Sequence, residues 1–201
     1  MMSLPDIYLA SQSPRRQQLL TQIGVSFELL LPQDAAAAEA LEEWVAGESP
    51  RAYVKRVTLL KLQAAMAQLQ KKGLPAKPVL TADTTVTLEG VVFGKPADEA
   101  DAMTMLKKLS GQTHQVLTAV AIGQGRRRLC KLQCSSVTFA PMTDEEISTY
   151  VKTGEPMGKA GAYAIQGFAA GFVQKIAGSH SGIMGLPVYE TRQMLLEWMK
   201  D

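Results

Sequence analysis

A short apolar run that leads directly into a helix start constrains the fold of this chain most strongly. Residues 7–10 suit a buried strand, and Ser13 and Pro14 then supply an N-cap with proline at the first helical position. The amphipathic run that follows ends at Gly24, and residues 25–31 predict a second strand. A strand, a capped helix and another strand in succession are typical of an α/β protein.

The same alternation continues through the rest of the chain. Ser49 and Pro50 repeat the helix start, and the apolar positions after them predict a long helix that ends near Gly73. Glu89 and Gly90 separate two apolar runs and predict a two-residue hairpin turn, where the sheet becomes antiparallel. Further strands are predicted at residues 79–82, 115–122 and 129–139, and further helices at residues 98–109, 143–154 and 187–199.

These elements predict a mixed sheet flanked by helices in one domain, residues 1–201, without an internal repeat. The alanine-rich residues 33–47 fit either a loop with a helical turn or a mobile lid, and both interpretations stay open. With 201 residues and a 46% hydrophobic composition, the chain is long enough for one substantial core.

The overall charge is close to neutral, so any anion recognition has to come from local clusters. The formal net charge is +2, which argues against a protein that coats nucleic acid or a membrane. The three arginines at residues 126–128 lie between two predicted strands without interleaved aromatic residues, so a solvated turn is favoured over nucleic-acid contact. The lack of a signal-peptide pattern and of a long apolar run predicts a cytoplasmic protein with no membrane span.

The cysteines and histidines give no disulfide or zinc pattern. Cys130 and Cys134 lie four residues apart in a predicted strand, about 13 Å from one another, which is too far for a disulfide. His114 and His180 have no second ligand at the spacing of a structural zinc site.

Residues 11–16, Ser-Gln-Ser-Pro-Arg-Arg, form the first candidate site. Free backbone N–H groups at the helix start converge there with the hydroxyls of Ser11 and Ser13 and the guanidiniums of Arg15 and Arg16. Phosphate is the natural ligand, because the planar fork of arginine can bridge two oxygens. Ordinary helix capping with two solvated arginines is the alternative.

Asp83 and Thr84 follow a short apolar strand and form the second candidate site. Ligands collect beyond the carboxyl ends of strands in open α/β sheets, so Asp83 can position a metal ion or accept a proton from an attacking water. Lys95 lies between glycine and proline, and Arg56 and Lys61 lie on the long helix; a triphosphate needs such cations when it is cleaved. A turn aspartate and solvated lysines are the alternative.

The glycine-rich residues 154–167 form the third candidate site. Dense glycine lets the backbone approach a ligand closely, and Lys159 adds a positive charge. The amide of Gln166 can donate and accept, as the edge of uracil or thymine requires, with backbone groups supplying the remaining hydrogen bonds. A glycine-rich hairpin with a buried glutamine is the alternative.

Taken in order, these segments resemble the Maf family of nucleotide pyrophosphatases over nearly the whole chain. Each motif is weak by itself, whereas their order along the chain is specific. The combination of Arg15, Thr84 and Gln166 is similar to the branch of the family that acts on dTTP and UTP, and differs from the relatives that act on 7-methyl-GTP. The matching motifs are residues 11–16, 53–56 with Lys61, 82–84, 94–96, 110–114, 159–167 and 185–187.

The resemblance implies a Maf/ITPase-like architecture with two lobes and a central cleft. It implies that Asp83 is the catalytic residue and a ligand of Mg²⁺ or Mn²⁺, and that water attacks the α-phosphate of dTTP, UTP or a modified pyrimidine nucleotide to release pyrophosphate. A homodimer is also expected. The predicted substrate-binding residues are Ser11, Ser13, Arg15, Arg16, Arg56, Lys61, Thr84, Lys95, Lys159 and Gln166.

The chain departs from the family pattern where acidic residues are usual. Gly158 stands where similar proteins have an acidic residue, and the acidic pair usual after the second strand is reduced to Asp34, so Asp83 and Glu155 are the carboxylates left for a metal. His180 also replaces an aromatic residue. The rival function is a nucleotide-binding regulator of cell division with little turnover.

Overall fold

The computed structural model describes residues 4–200, and in this part of the chain seven strands form one mixed sheet. The strands are β1 Ile7–Leu9, β2 Phe27–Leu29, β3 Val79–Leu88, β4 Val91–Phe93, β5 Thr113–Gln124, β6 Arg127–Phe139 and β7 Val173–Ala177. The helices are α1 Pro14–Gln22, α2 Ala35–Ala40, α3 Pro50–Lys71, α4 Glu99–Leu109, α5 Asp144–Lys152, α6 His180–Met184 and α7 Val188–Trp198, with 3₁₀ turns at Ala160–Ala162 and Phe168–Phe172.

The order of the strands is β2-β1-β3-β5-β6-β7, and β4 pairs with the far end of β3. The β1 strand is parallel to β2 and β3, and the other pairs are antiparallel. The predicted mixed sheet flanked by helices is therefore confirmed. The β1 strand pairs with β3 only as far as Leu80, and the pairing of β4 with β3 begins only at Val86. The described strands therefore leave the edge of β3 open between these two residues.

Most of the local predictions are confirmed where a cap or a turn fixes the backbone. Ser49 accepts a hydrogen bond from Ala52 N at the start of α3, and Thr143 forms a capping box with Glu146 at the start of α5. Residues 33–47 contain α2, which confirms the predicted helical turn, and a mobile lid stays a prediction. Helix α6 was not predicted, because five residues are too few for a periodic pattern.

The strand boundaries around Asp83 were predicted wrongly. The run at residues 79–82 does not end before Asp83 but continues as one ten-residue strand to Leu88. Threonine is β-branched and packs well on a pleated surface, so Thr84, Thr85 and Thr87 extend the strand. Asp83 therefore lies in mid-strand, and the open edge of β3 makes it accessible.

The core lies in clusters on both faces of the sheet. Helix α3 covers one face. On the other face, α1 and α7 pack over Leu80 and Ala82, whereas α4 and α5 pack over Val86. Thr84 lies between these two groups, so the second face is divided into two lobes. Among residues 4–200, no helix is both long and apolar enough to cross a membrane.

Candidate active site

A cleft of about 760 Å³ lies at the open edge of β3. Side chains alternate along a strand, so Asp83 faces α3 while Thr84 faces the opposite side. Both residues line the same cleft, because none of the described strands pairs with this edge of β3 at Asp83 or Thr84. Segments far apart in sequence thus meet around one space.

The N-terminus of α1 lies in this cleft, as the first candidate site requires. Arg15 donates from Nε to the carbonyl oxygen of Met184 at 3.2 Å, and its Nη atoms make no hydrogen bond within residues 4–200. Ser13 is the N-cap residue, and its hydroxyl makes no capping hydrogen bond. Arg15 and Ser13 therefore offer donors to a ligand at the positive end of the helix.

Arg16 has a different role from its neighbour. Its guanidinium donates to Gly185 O at 2.8 Å, to the hydroxyl of Ser11 at 3.0 Å and, weakly, to that of Thr84 at 3.5 Å. Burial lowers the pKa of Arg16, and the nearby carboxylate of Asp83 opposes this shift. Arg16 thus holds α1, β3 and the end of α6 together, with much of its hydrogen-bonding capacity already used.

A chain of alternating charges crosses the floor of the cleft. Lys61 Nζ on α3 lies 2.6 Å from Asp83 Oδ1 and 2.7 Å from Glu42 Oε1. The second oxygen of Glu42 accepts from Lys95 Nζ at 2.9 Å. Burial acts to raise the pKa of the Glu42 carboxyl, but Lys61 and Lys95 outweigh it and leave the pKa below its ordinary value.

Glu42 is a charged residue of the cleft that the sequence did not predict. Asp34, the expected acidic residue of this segment, instead accepts from Ala37 N and caps α2. Glu42 lies in an irregular stretch after α2, 19 residues before Lys61, and no motif marked it. Its only sequence signal was its position shortly ahead of the helix that carries Lys61.

Arg56 does not line the cleft. Its Nε and Nη2 atoms both lie 2.9 Å from the carboxylate of Glu48, and Nη2 also donates to Glu43 O at 2.8 Å. Tyr53 next to it donates its hydroxyl to Glu42 O at 2.8 Å. Tyr53 and Arg56 therefore anchor residues 34–48, which we call the arm, against α3.

The glycine-rich loop, residues 154–167, forms the opposite wall. Gly158, Lys159, Ala160 and Tyr163 line the cleft. Burial lowers the pKa of Lys159, and the positive charge of Arg15, which lines the same cleft, lowers it further. Gln166 is exposed at the end of the loop and does not line the cleft, so it is not the buried glutamine of the alternative interpretation.

The cleft brings together nine of the residues predicted to bind substrate or to catalyse, and leaves Arg56 and Gln166 outside. The nine are Ser11, Ser13, Arg15, Arg16, Lys61, Asp83, Thr84, Lys95 and Lys159. The cysteines are free, and His114 is buried in the core, where its Nε2 lies 2.8 Å from the hydroxyl of Tyr163. Neither finding supports a disulfide or a zinc site.

The predicted divalent metal fits the donors on the cleft floor. Within residues 4–200, no group of three or more His, Cys, Asp or Glu side chains is arranged to hold a metal ion. Mg²⁺ is often held by only one or two carboxylates together with substrate phosphates, and Asp83 and Glu42 supply two that contact the same ammonium group. Glu155 does not line the cleft, and its carboxylate accepts three protein hydrogen bonds.

Comparisons with known proteins show the family of this chain. The dTTP/UTP pyrophosphatase of Albidiferax ferrireducens is 60% identical over 94% of this chain and 94% of its own length. The dTTP/UTP pyrophosphatase of Burkholderia pseudomallei is 58% identical over 96% of this chain and 93% of its own. The family model described as Maf-like protein matches residues 6–198. The chain is therefore a member of the Maf family.

Proposed function

We propose that this protein hydrolyses dTTP and UTP to the nucleoside monophosphate and pyrophosphate. The observation that carries the proposal is that Asp83, Lys61, Lys95, Arg15 and Lys159 line a single cleft. The activity named for relatives that are 58–60% identical over nearly the whole chain supports the same reaction.

Asp83 is the proton acceptor in this proposal. Its side chain is only 11% exposed, and Lys61 donates a hydrogen bond to one of its oxygens, which leaves the other to accept a proton from water. That water attacks the α-phosphorus in line with the leaving pyrophosphate. The bond between the α-phosphorus and the bridging oxygen breaks, and the oxygen of water remains on the monophosphate.

The cations of the cleft bind the polyphosphate and stabilise the charge that develops on the leaving group. Arg15 acts from the N-terminus of α1, Lys159 from the glycine-rich loop, and Lys95 from the turn after β4. Such fixed charges act strongly because the site is already organised around them before the reaction.

Asp83 and Glu42 would hold the Mg²⁺ or Mn²⁺ ion that the family resemblance implies. When bound, this ion supplies positive charge to the phosphates and makes a bound water more acidic. Because both carboxylates contact Lys61, its ammonium group keeps their negative charges from repelling one another without the ion.

Arg15 and Thr84 are proposed to select the base, and the exposed Gln166 stays a prediction for the same role. The hydroxyl of Thr84 lies 2.9 Å from that of Thr118, so its direction is fixed. Uracil and thymine share one hydrogen-bonding edge and differ by one methyl group, which a pocket discriminates weakly. Modified pyrimidine nucleotides are therefore expected substrates as well.

A nucleotide panel with product identification tests the function, and Asp83→Asn tests the mechanism. We expect pyrophosphate release from dTTP and UTP, and a fall in kcat of at least about 100-fold in the variant. Asp144→Asn is the control, because this carboxylate is 79% exposed and pairs with Lys107 on the surface. Unchanged turnover in Asp83→Asn would remove Asp83 from the mechanism, and tight binding without release by the wild type would favour the regulator.

The family resemblance also supports a cytoplasmic homodimer. Light scattering of the purified protein should then give twice the chain mass of 21.7 kDa. A mass of 21.7 kDa at micromolar concentration would contradict the dimer.

A further inference from the structure

Glu155 makes a compact set of contacts outside the cleft. Its carboxylate accepts from the hydroxyl of Tyr150 at 2.9 Å and from the backbone N–H groups of Phe168 at 2.9 Å and Ala169 at 3.5 Å. A hydrogen bond from a backbone N–H to a carboxylate is charge-assisted and stronger than a neutral one. Glu155 thus ties the start of the glycine-rich loop to the residues that follow its end.

The loop closed in this way contributes one whole wall of the cleft. Gly158, Lys159, Ala160 and Tyr163 all lie between Glu155 and Phe168 along the chain. Closing a loop costs conformational entropy, and a strong contact between its ends reduces the freedom of everything between them. Lys159 Nζ donates to Met157 O at 3.2 Å within the same loop, so its position follows that of the loop.

Gly167 lies directly against the carboxylate of Glu155. A Cβ atom at this position would overlap the carboxylate group of Glu155. The φ angle of Gly167 is −102°, which any residue can adopt, so backbone conformation does not demand glycine here. A methyl group here would displace the Glu155 carboxylate, the end of a flexible side chain, from its hydrogen bonds.

The charge of Glu155 also acts on the cations of the cleft. Burial lowers the pKa of both Arg15 and Lys159, and the negative charge of Glu155 opposes the shift in each case. The carboxylate therefore contributes to a wall that carries two positive charges close together.

We propose that Glu155 is a positioning residue, which holds the glycine-rich loop so that Lys159 faces the polyphosphate. This role rests on the proposed function and replaces the expected role of Glu155 as a metal ligand. The contact between Glu155 and residues 167–169 is called the clasp below.

Gly167→Ala tests the clasp against Gly171→Ala as a matched control. Both changes add one methyl group close together in the chain, but an added Cβ at Gly171 meets no atom within 4 Å. We expect Gly167→Ala to raise KM for dTTP about tenfold with kcat changed less than about threefold, since a misplaced Lys159 weakens binding. Gly171→Ala should match the wild type in both constants.

The same change made in the Glu155→Ala variant distinguishes an effect on the clasp from a general loss of stability. In Glu155→Ala the overlapping carboxylate is gone, so adding Gly167→Ala should raise KM less than about twofold further. Glu155→Gln should lie between the wild type and Glu155→Ala, because its amide retains one acceptor oxygen. Equal KM values for Gly167→Ala and Gly171→Ala, or full additivity of Glu155→Ala and Gly167→Ala, would overturn the proposal.

Trypsin cleavage after Lys159 gives a readout that needs no turnover. We expect faster cleavage at this bond in Gly167→Ala and Glu155→Ala than in the wild type and Gly171→Ala, with all four folded by circular dichroism. If the wild type released no pyrophosphate from any nucleotide, the proposed function would be wrong. The rates of trypsin cleavage would still test whether the clasp holds the loop. Unchanged cleavage in both clasp variants would count against the clasp itself.

Discussion

The two walls of the cleft are attached to the protein in different ways. The arm, residues 34–48, is held by side chains of α3, chiefly through the hydroxyl of Tyr53 and the guanidinium of Arg56. The glycine-rich loop is held by the clasp and by a backbone hydrogen bond from Gly161 N to Gly94 O at 3.0 Å. Gly161 also packs so tightly on Val86 that a Cβ atom would overlap it.

This difference indicates which wall is fixed before a nucleotide binds. The arm is held by hydrogen bonds and ion pairs from side chains of α3, whereas the loop is held largely through backbone groups. Glu42 also pairs with Lys61 and Lys95, two cations that we propose bind the phosphates. We expect the loop to keep its contacts when a nucleotide binds, and Glu42 of the arm to exchange its contacts with the substrate or the metal.

Glu42→Gln is expected to have the largest effect of the changes in the arm. It removes the one carboxylate with which the arm reaches Lys61 and Lys95, and we expect kcat/KM for dTTP to fall about 30-fold or more. Glu39→Gln is the matched control, because Glu39 also lies on the arm and lines the cleft but is exposed. Similar steady-state constants for the two variants would show that the arm acts only as a cover.

Arg56→Ala tests whether Arg56 holds the arm or binds the substrate, and its expected effect is smaller. The change frees Glu48 and Glu43 O and loosens the arm without touching the cleft, so we expect kcat/KM to fall about fivefold. Arg51→Ala is the control on the same helix, since Arg51 is exposed and does not line the cleft. If Arg56→Ala fell as far as Lys61→Ala, Arg56 would be a substrate ligand after all.

The smallest expected effect is the pH dependence of the Glu42 contacts. The pKa of Glu42 is below its ordinary value of 4.5 in the folded protein, so its stabilising contribution is complete above that value and is lost as pH falls through the lowered pKa. We expect the wild type to melt about 2–4 °C above Glu42→Gln at pH 7, with the difference disappearing well below pH 4.5. A difference that disappeared between pH 7 and 5 would contradict this assignment.

The sequence predicted well those features that depend on neighbouring residues. The strand that leads into α1, with proline at its first position, determines where Arg15 lies, and the order of motifs identifies the family. Lys61, Lys95 and Lys159 were also expected at the site, and the cleft contains all three.

Features that depend on direction or on long-range pairing were not predictable in the same way. Arg56 and Lys61 are five residues apart on one helix, which at 3.6 residues per turn separates their directions by about 140°, so the two cannot both face the cleft. Asp83 was placed after a strand, because the threonines that extend β3 also resemble a polar loop. Glu42 meets Lys95 across 53 residues of chain, a pairing that only the tertiary structure reveals.

The affinity for a non-hydrolysable nucleotide tests most directly whether both walls hold one polyphosphate. Calorimetry with α,β-imido-dUTP and Mg²⁺ should give one site per chain in the wild type. Lys95→Gln, which removes the cation that contacts Glu42 of the arm, and Lys159→Gln, which removes the cation of the loop, should each weaken binding about tenfold or more, whereas the exposed Lys152→Gln should not change it. Wild-type affinity in Lys159→Gln would contradict the account, because the glycine-rich loop would then take no part in binding the phosphates.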